Sequence, residues 1–124
     1  MTIYLDTHVL VWLVSGELTL LSKKAKHLIE THELITGAIN LLELEYLYEI
    51  KRISIRSLEI YNELHTTIDL KLHDLGDKAL MKAIDIPWTR DPFDRIIVAT
   101  STILQIPLVT KDKFIHQHYP LAAW

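Results

Sequence analysis

The chain contains no cysteine among its 124 residues. That excludes disulfides and thiolate-held zinc, and it suits a reducing compartment. Glycine is scarce at three residues and proline at four, so the low-complexity and disordered classes that these residues dominate are excluded as well. Apolar runs are short. The longest, such as Val9–Val14, fall far below the roughly 20 residues of a membrane span. Positive charge is missing from the first 22 residues, which hold no Lys or Arg, and Asp6 interrupts the opening apolar stretch. No secretory signal is readable there, and a soluble, cytoplasmic protein without membrane association is expected. Nor is there an excess of basic residues overall: 13 Lys and Arg against 16 Asp and Glu leave a net charge of −3. That weighs against a protein that coats nucleic acid by charge alone. It is compatible with an enzyme whose acids are neutralised by a bound cation.

What is present is enough apolar residue, 49% of the chain, to build the core of one domain over residues 1–124. Thr2–Leu5 is a short β-branched and aromatic run, predicted as a buried strand. His8–Val14 is apolar on every side, which predicts a buried helix closed by Gly16. Ser22 caps a helix over Lys23–His32, where Ala25, Leu28 and Ile29 recur at helical spacing. Leu34–Ile39 reads as a second strand. Asn40-Leu-Leu-Glu43 has the form of a variant capping box, opening a helix that runs to about Lys51. Ser57–Thr66 and Leu75–Ile84 read as helices, and Ile68–Leu72 and Ile106–Thr110 as strands. Asp91-Pro92-Phe93-Asp94 starts a helix to about Leu104, with Asp at N-cap, Pro at N1 and Asp at N3. A turn of helix over Asp112–His116 and an edge strand over Ala122–Trp124 end the chain. Strands alternating with helices predict the α/β class with a mainly parallel sheet.

Four carboxylates stand where apolar segments meet polar turns or helix starts: Asp6, Glu43, Asp94 and Asp112. An ionised acid in such surroundings is costly unless something compensates its lost hydration. In parallel α/β sheets the ligand crevice lies beyond the carboxyl ends of the strands. Asp6 and Asp112 fall at those ends, and Glu43 and Asp94 are expected in the first turns of the following helices, where the helix dipole favours an anion. Hard oxygen donors without cysteine suit Mg²⁺ or Mn²⁺. Such a site supports hydrolysis of a phosphate ester. Each acid also has a purely structural reading: Glu43 and Asp94 as helix-start acids, Asp112 as a turn residue, and Asp91 as an N-cap. Asp6, between an apolar strand and an apolar helix, is the hardest to explain structurally.

The segments LDTHVLVWL, INLLELE, RDPFDRIIVAT and PLVTKD together resemble a PIN domain, most closely the bacterial VapC-type toxins. The resemblance runs from residue 2 to Trp124. It implies a three-layer fold with a five-stranded parallel sheet flanked by helices, and a metal-dependent ribonuclease acting on RNA phosphodiesters. It further implies Asp6, Glu43, Asp94 and Asp112 as the acids of the site, a small antitoxin as inhibitory partner, and a homodimer. Asp91, which recurs in this form of the motif, and the hydroxyls of Thr7 and Thr110 are expected to support the acids. The chain departs from the pattern at Thr89, where His is common, at Asn40, where Ser is common, and at Lys111, where Arg or Asn is frequent. None of these departures removes a carboxylate.

Arg90, Arg95, Lys111 and Lys113 each lie next to a proposed ligand and are expected to contact phosphate. The basic residues Lys23, Lys24 and Lys26 are expected on a solvated helix face. His116 and His118 have the spacing of a strand pair, though surface histidines are the simpler reading, and His8 is expected to flank its helix rather than bind metal. Trp12 reads as core. Leu41–Ile50 is apolar over a broad arc and is expected to contribute to a partner groove or dimer contact. Two other function classes are compatible with the acids. A phospho-receiver domain would need an acceptor near mid-chain, for which Asp69 is the candidate. A non-catalytic scaffold would keep the acids without gaining stability from metal.

Overall fold

The computed structural model describes all residues 1–124. Its sheet has five strands: β1 Thr2–Leu5, β2 Glu33–Thr36, β3 Lys71–Leu72, β4 Leu108–Val109 and β5 Ala122–Ala123. Their order is β3-β2-β1-β4-β5, and every pairing is parallel. The chain thus starts in the middle of the sheet, builds outward on one side through β3, and then crosses over to β4. The loops after β1 and β4 leave in opposite directions, and the gap between them is where such a sheet opens a crevice.

Seven helices cover the sheet: α1 Thr7–Val14, α2 Lys23–Thr31, α3 Ala38–Glu49, α4 Ser57–Ile68, α5 Asp77–Ala83, α6 Pro92–Leu104 and α7 Lys113–His118. A short 3₁₀ turn, Leu18–Leu20, links α1 and α2. The period of two along each strand sorts side chains to opposite faces. Ile3, Leu5, Leu34 and Val109 pack with Val9, Leu10, Leu44, Ile60 and Leu64 on one side. Tyr4, Ile35 and Leu108 pack with Ile97, Val98, Ile115 and Tyr119 on the other. The result is three layers with a core on each face of the sheet. Each fully buried Leu or Ile contributes about 1.5–3 kcal/mol relative to exposure.

Local signals account for most helix starts. Ser22 Oγ accepts from the Ala25 amide at 3.0 Å. Asp91 caps α6 by accepting from the Phe93 and Asp94 amides at 2.9 and 3.3 Å, with Pro92 in the first turn. Asp6 and Asp112 cap α1 and α7. Three expectations are corrected. β2 ends at Thr36, and α3 is capped by Gly37, not Asn40. Asn40 instead sits at N3 and accepts from the Gly37 amide at 3.1 Å. Glu43 is therefore one turn inside α3 and is not a helix-start acid. Ile68 belongs to α4, which ends at Asp69 in the left-handed region (φ 56°), so the strand that follows is only Lys71–Leu72. Finally, α5 begins at Asp77, after Gly76 turns the chain at φ 57°.

The start of α3 is held by a residue far away in sequence. Asp74 accepts from the Ala38 amide at 3.0 and 3.2 Å through its two carboxylate oxygens. Gly37 lies between Asp74 and Tyr4. A β-carbon there would stand 2.5 Å from the Tyr4 hydroxyl and 3.1 Å from Asp74 Oδ1. Tyr4 is fully buried in the central strand and has no room to withdraw. We predict that Gly37→Ala lowers stability by about 1–3 kcal/mol, the usual effect of overpacking. Denaturant or thermal melting checks this; an unchanged midpoint would show that the Tyr4–Gly37 approach is not tight.

Candidate active site

The carboxyl ends of β1 and β4 deliver the first acids. Asp6 follows Leu5 and is 8% exposed. One of its oxygens accepts from the Thr7 amide at 2.8 Å, and the other from the Thr110 hydroxyl at 2.6 Å. Thr110 also accepts from the Asp112 amide at 3.1 Å, so one hydroxyl ties the end of β4 to Asp6 and orients the Asp112 turn. Asp112 in turn accepts from the Ile115 amide at 3.0 Å.

Glu43 is aimed by a chain of hydrogen bonds with a fixed direction. The Tyr4 hydroxyl, at 2.5 Å, and the Gly37 amide, at 3.1 Å, both donate to Asn40 Oδ1. That turns the Asn40 amide nitrogen toward Thr7 Oγ1 at 3.0 Å. The Thr7 proton is then committed to Glu43 Oε1 at 2.5 Å. Asn40 and Thr7 are both buried, and each polar atom of this chain has a partner, as the low dielectric requires.

Asp6, Glu43, Asp91, Asp94 and Asp112 line a single cleft of about 350 Å³, together with His8, Val9, Trp12 and Lys111. No three of the acids are drawn together into a finished coordination shell; they face one another across the cleft. Their electrostatics follow from burial and mutual repulsion. Burial raises Asp6 above the carboxylate range, opposed by its bonds from Thr110 and Thr7. Burial pushes Glu43 up to about 7, against the Thr7 bond and with repulsion from Asp6 and Asp91 adding to it. Burial, then Asp6, Asp91, Asp112 and Glu43, push Asp94 up to about 8. The ion pairs of the protein, Arg56–Glu45 and Lys71–Asp69, involve none of these groups. The cleft therefore gathers acids that hold their protons more tightly than usual, and no salt bridge supplies any of them with a counter-charge.

The donor set fits a hard divalent cation. It is all oxygen, and a small cation such as Mg²⁺ takes one or two carboxylates and keeps several waters, so a cleft with facing acids suits it better than a closed cage.

The remaining expected residues are distributed unevenly. Of the four basic residues, only Lys111 lines the cleft. Arg90 donates to the Pro87 carbonyl and Arg95 to the Thr89 carbonyl, each at 2.9 Å, so both guanidinium groups brace the loop before α6. Lys113 is exposed on α7, and Lys23 and Lys24 are exposed on α2. His116 and His118 lie on a helix, not a strand, and do not form a pair. His116 Nε2 is 2.7 Å from the Thr110 carbonyl, while His118 stacks on Trp88 with centroids 4.5 Å apart. Asp69 stands just before β3, at the amino end of the sheet, and is paired with Lys71. It is at the wrong end for a phospho-acceptor. Tyr4, Asn40 and Asp74 were not singled out as part of the site from sequence. Only the polar Asn40 among apolar neighbours offered a signal.

The PIN domain profile matches residues 3–119. Ribonuclease VapC22 of Mycobacterium tuberculosis (strain ATCC 25618 / H37Rv) is 32% identical over 130 residues, covering 99% of this chain and 98% of the relative. Two solved structures share the fold. VapBC2 from Rickettsia felis, bound to a DNA fragment from its promoter, superposes with a TM-score of 0.67 at 16% identity, covering 98% of this chain and 96% of the other. A toxin–antitoxin complex from Klebsiella pneumoniae gives 0.68 at 17% identity, covering 97% and 95%. With the three-layer parallel fold and the acid-lined cleft at its carboxyl edge, these likenesses place the chain in the PIN domain family, among the VapC-type ribonucleases.

Proposed function

We propose that this chain is a metal-dependent endoribonuclease that hydrolyses RNA phosphodiester bonds, the toxin of a toxin–antitoxin pair acting in the cytoplasm. The observation that carries the reading is the set of acids around one cleft with no salt-bridged counter-charge, two of them pushed up to about 7 and 8. Asp6, Glu43, Asp94 and Asp112 would hold Mg²⁺ or Mn²⁺, with Asp91 behind them. When bound, such an ion neutralises phosphate charge and makes water a stronger nucleophile.

The protein's own residues do the rest. Thr110 and the Thr7 amide fix both oxygens of Asp6, and the Thr7 hydroxyl fixes one oxygen of Glu43, leaving its other oxygen for the cleft. Asp91 holds the first turn of α6 and thus the position of Asp94. Lys111 supplies the positive charge that a neighbouring phosphate meets at the cleft wall. In hydrolysis, a water oxygen adds to phosphorus, one P–O ester bond breaks, and the departing sugar oxygen takes up a proton. A water in the cleft, polarised by the bound ion, would supply that proton.

The partner reading draws on exposed apolar residues. Leu42 is 60% exposed on α3, and Tyr46 and Ile50 are exposed beyond it. A separate cavity of about 740 Å³ lies between the ends of α1 and α3 and the start of α4, lined in part by Val11, Val14, Ile53, Ile55 and Ile60. These surfaces suit an antitoxin segment and a second copy of the chain, and both structural neighbours come from toxin–antitoxin systems.

Asp6→Asn and Asp94→Asn are each expected to lower RNA cleavage at least about 100-fold and to relieve growth arrest on induction, while circular dichroism stays native. Full metal-dependent cleavage by either variant would remove that acid from the site.

The metal-free protein should also respond to pH in the sense opposite to most carboxylates. The folded-state values of Glu43 and Asp94, about 7 and about 8, lie above the ordinary 4.5 and 3.8. The native state then binds more protons than the unfolded chain, so stability is full at low pH and is lost as pH rises through those values. Melting temperature in chelator should fall between about pH 5 and about pH 8, and fall less in Asp94→Asn. A rise over that range in the wild-type chain would contradict the cluster's electrostatics.

A further inference from the structure

Trp12 is more than a core residue. It is half-buried on α1 and packs against the core on the helix side of the sheet, yet its ring also lines the acid cleft. No ring of the protein is stacked on it. Trp124 packs against it in a T-shaped arrangement, with centroids 5.7 Å apart and planes at 62°, and His8 is tilted at 6.1 Å and 43°. The exposed Lys111 reaches over a face, its ammonium 5.9 Å from the ring centroid. Trp88 differs: its face is already covered by the parallel ring of His118. Trp12 is thus an indole held against the core and Trp124, with the exposed Lys111 ammonium over a face. The same cation is the only basic residue in the cleft lining.

We propose that Trp12 and Lys111 form a nucleotide subsite for single-stranded RNA, in which a base next to the scissile phosphate stacks on the indole and Lys111 moves from the ring to a neighbouring phosphate. The inference rests on the ribonuclease reading and deepens it. An aromatic face beside a phosphate-handling cleft is the arrangement by which proteins hold unpaired bases, because every base offers a π-face. A cation poised over that face marks it as electron-rich and accessible. The subsite acts on substrate placement, so its loss appears in KM and binding and leaves the chemistry at the acids in place.

The test compares wild type, Trp12→Leu and Lys111→Gln in Mn²⁺, with a short single-stranded oligoribonucleotide and a set from which each base is removed in turn. Trp12→Leu should raise KM about tenfold with kcat within about twofold, in line with the loss of one stacked base. Removing one particular base should raise KM for wild type by a similar factor and add nothing in Trp12→Leu, a coupling that a merely structural tryptophan would not produce. Lys111→Gln should raise KM and lower the salt slope of binding by about one. If Trp12→Leu melts far below wild type, Lys111→Gln and the base-removal series on wild type carry the test. An unchanged KM in a folded Trp12→Leu, or base-removal penalties identical in both proteins, would overturn the subsite alone. A wild-type chain that binds and cleaves no RNA would overturn the subsite and the ribonuclease reading together.

Discussion

The bond between the Thr110 hydroxyl and Asp6 joins the two strands that define the crevice. Asp6 follows β1 and Thr110 follows β4, 104 residues apart in sequence. Through this contact the buried carboxylate caps α1, locks the carboxyl edge of the sheet, and sets the position from which Asp112 departs. At 8% exposure the carboxyl is costly to bury, and the hydrogen bonds that both its oxygens accept offset part of that cost. Burial first, and the neighbouring acids including Asp6 second, hold Glu43 and Asp94 above their ordinary proton affinity. The crevice is geometrically satisfied at its floor and electrostatically unsatisfied across its width. A divalent cation is the complement proposed for it.

A second consequence concerns Glu43. Its aim originates in the central strand, at the Tyr4 hydroxyl, and passes through Asn40 and Thr7 with every donor and acceptor assigned. Gly37 matters here for lack of a side chain, not for its backbone angle, because its φ of −108° is open to any residue. The carboxylate geometry thus depends on packing beneath the sheet edge as much as on the residues that face the cleft. Precision of this kind at a reacting centre comes from the shell behind the ligands.

Much of the fold could be read from local pattern. Ser22, Asp91 and Pro92 announce helix starts through contacts within three residues, and these starts fall where expected. Strand ends carrying Asp6 and Asp112 pointed to the crevice because parallel α/β sheets bind ligands there. Two of the misreadings involve long-range contacts, and the third, the start of α5, a local turn at Gly76. The start of α3 is set by Asp74, 36 residues from Ala38, so the local Asn40–Glu43 spacing imitated a capping box that does not exist. Ile68 reads as β-branched strand, but packing extends α4 through it. Asn40, Tyr4 and Trp12 acquire their roles only when β1, α1 and α3 are brought together, and of the three only Asn40, polar among apolar neighbours, stands out in the sequence.

On the proposed reading, the clustered acids are kept for a divalent cation at some expense to the empty fold. Thermal melting of wild type and Asp94→Asn near pH 8, in chelator and in Mn²⁺, tests it most directly. In chelator the variant should melt at or above wild type, since it removes a repelling charge. In Mn²⁺ the wild type should gain several degrees and the variant little, reversing their order. A variant that melts below wild type in chelator, with both proteins indifferent to Mn²⁺, would contradict the account and leave the acids as structural caps.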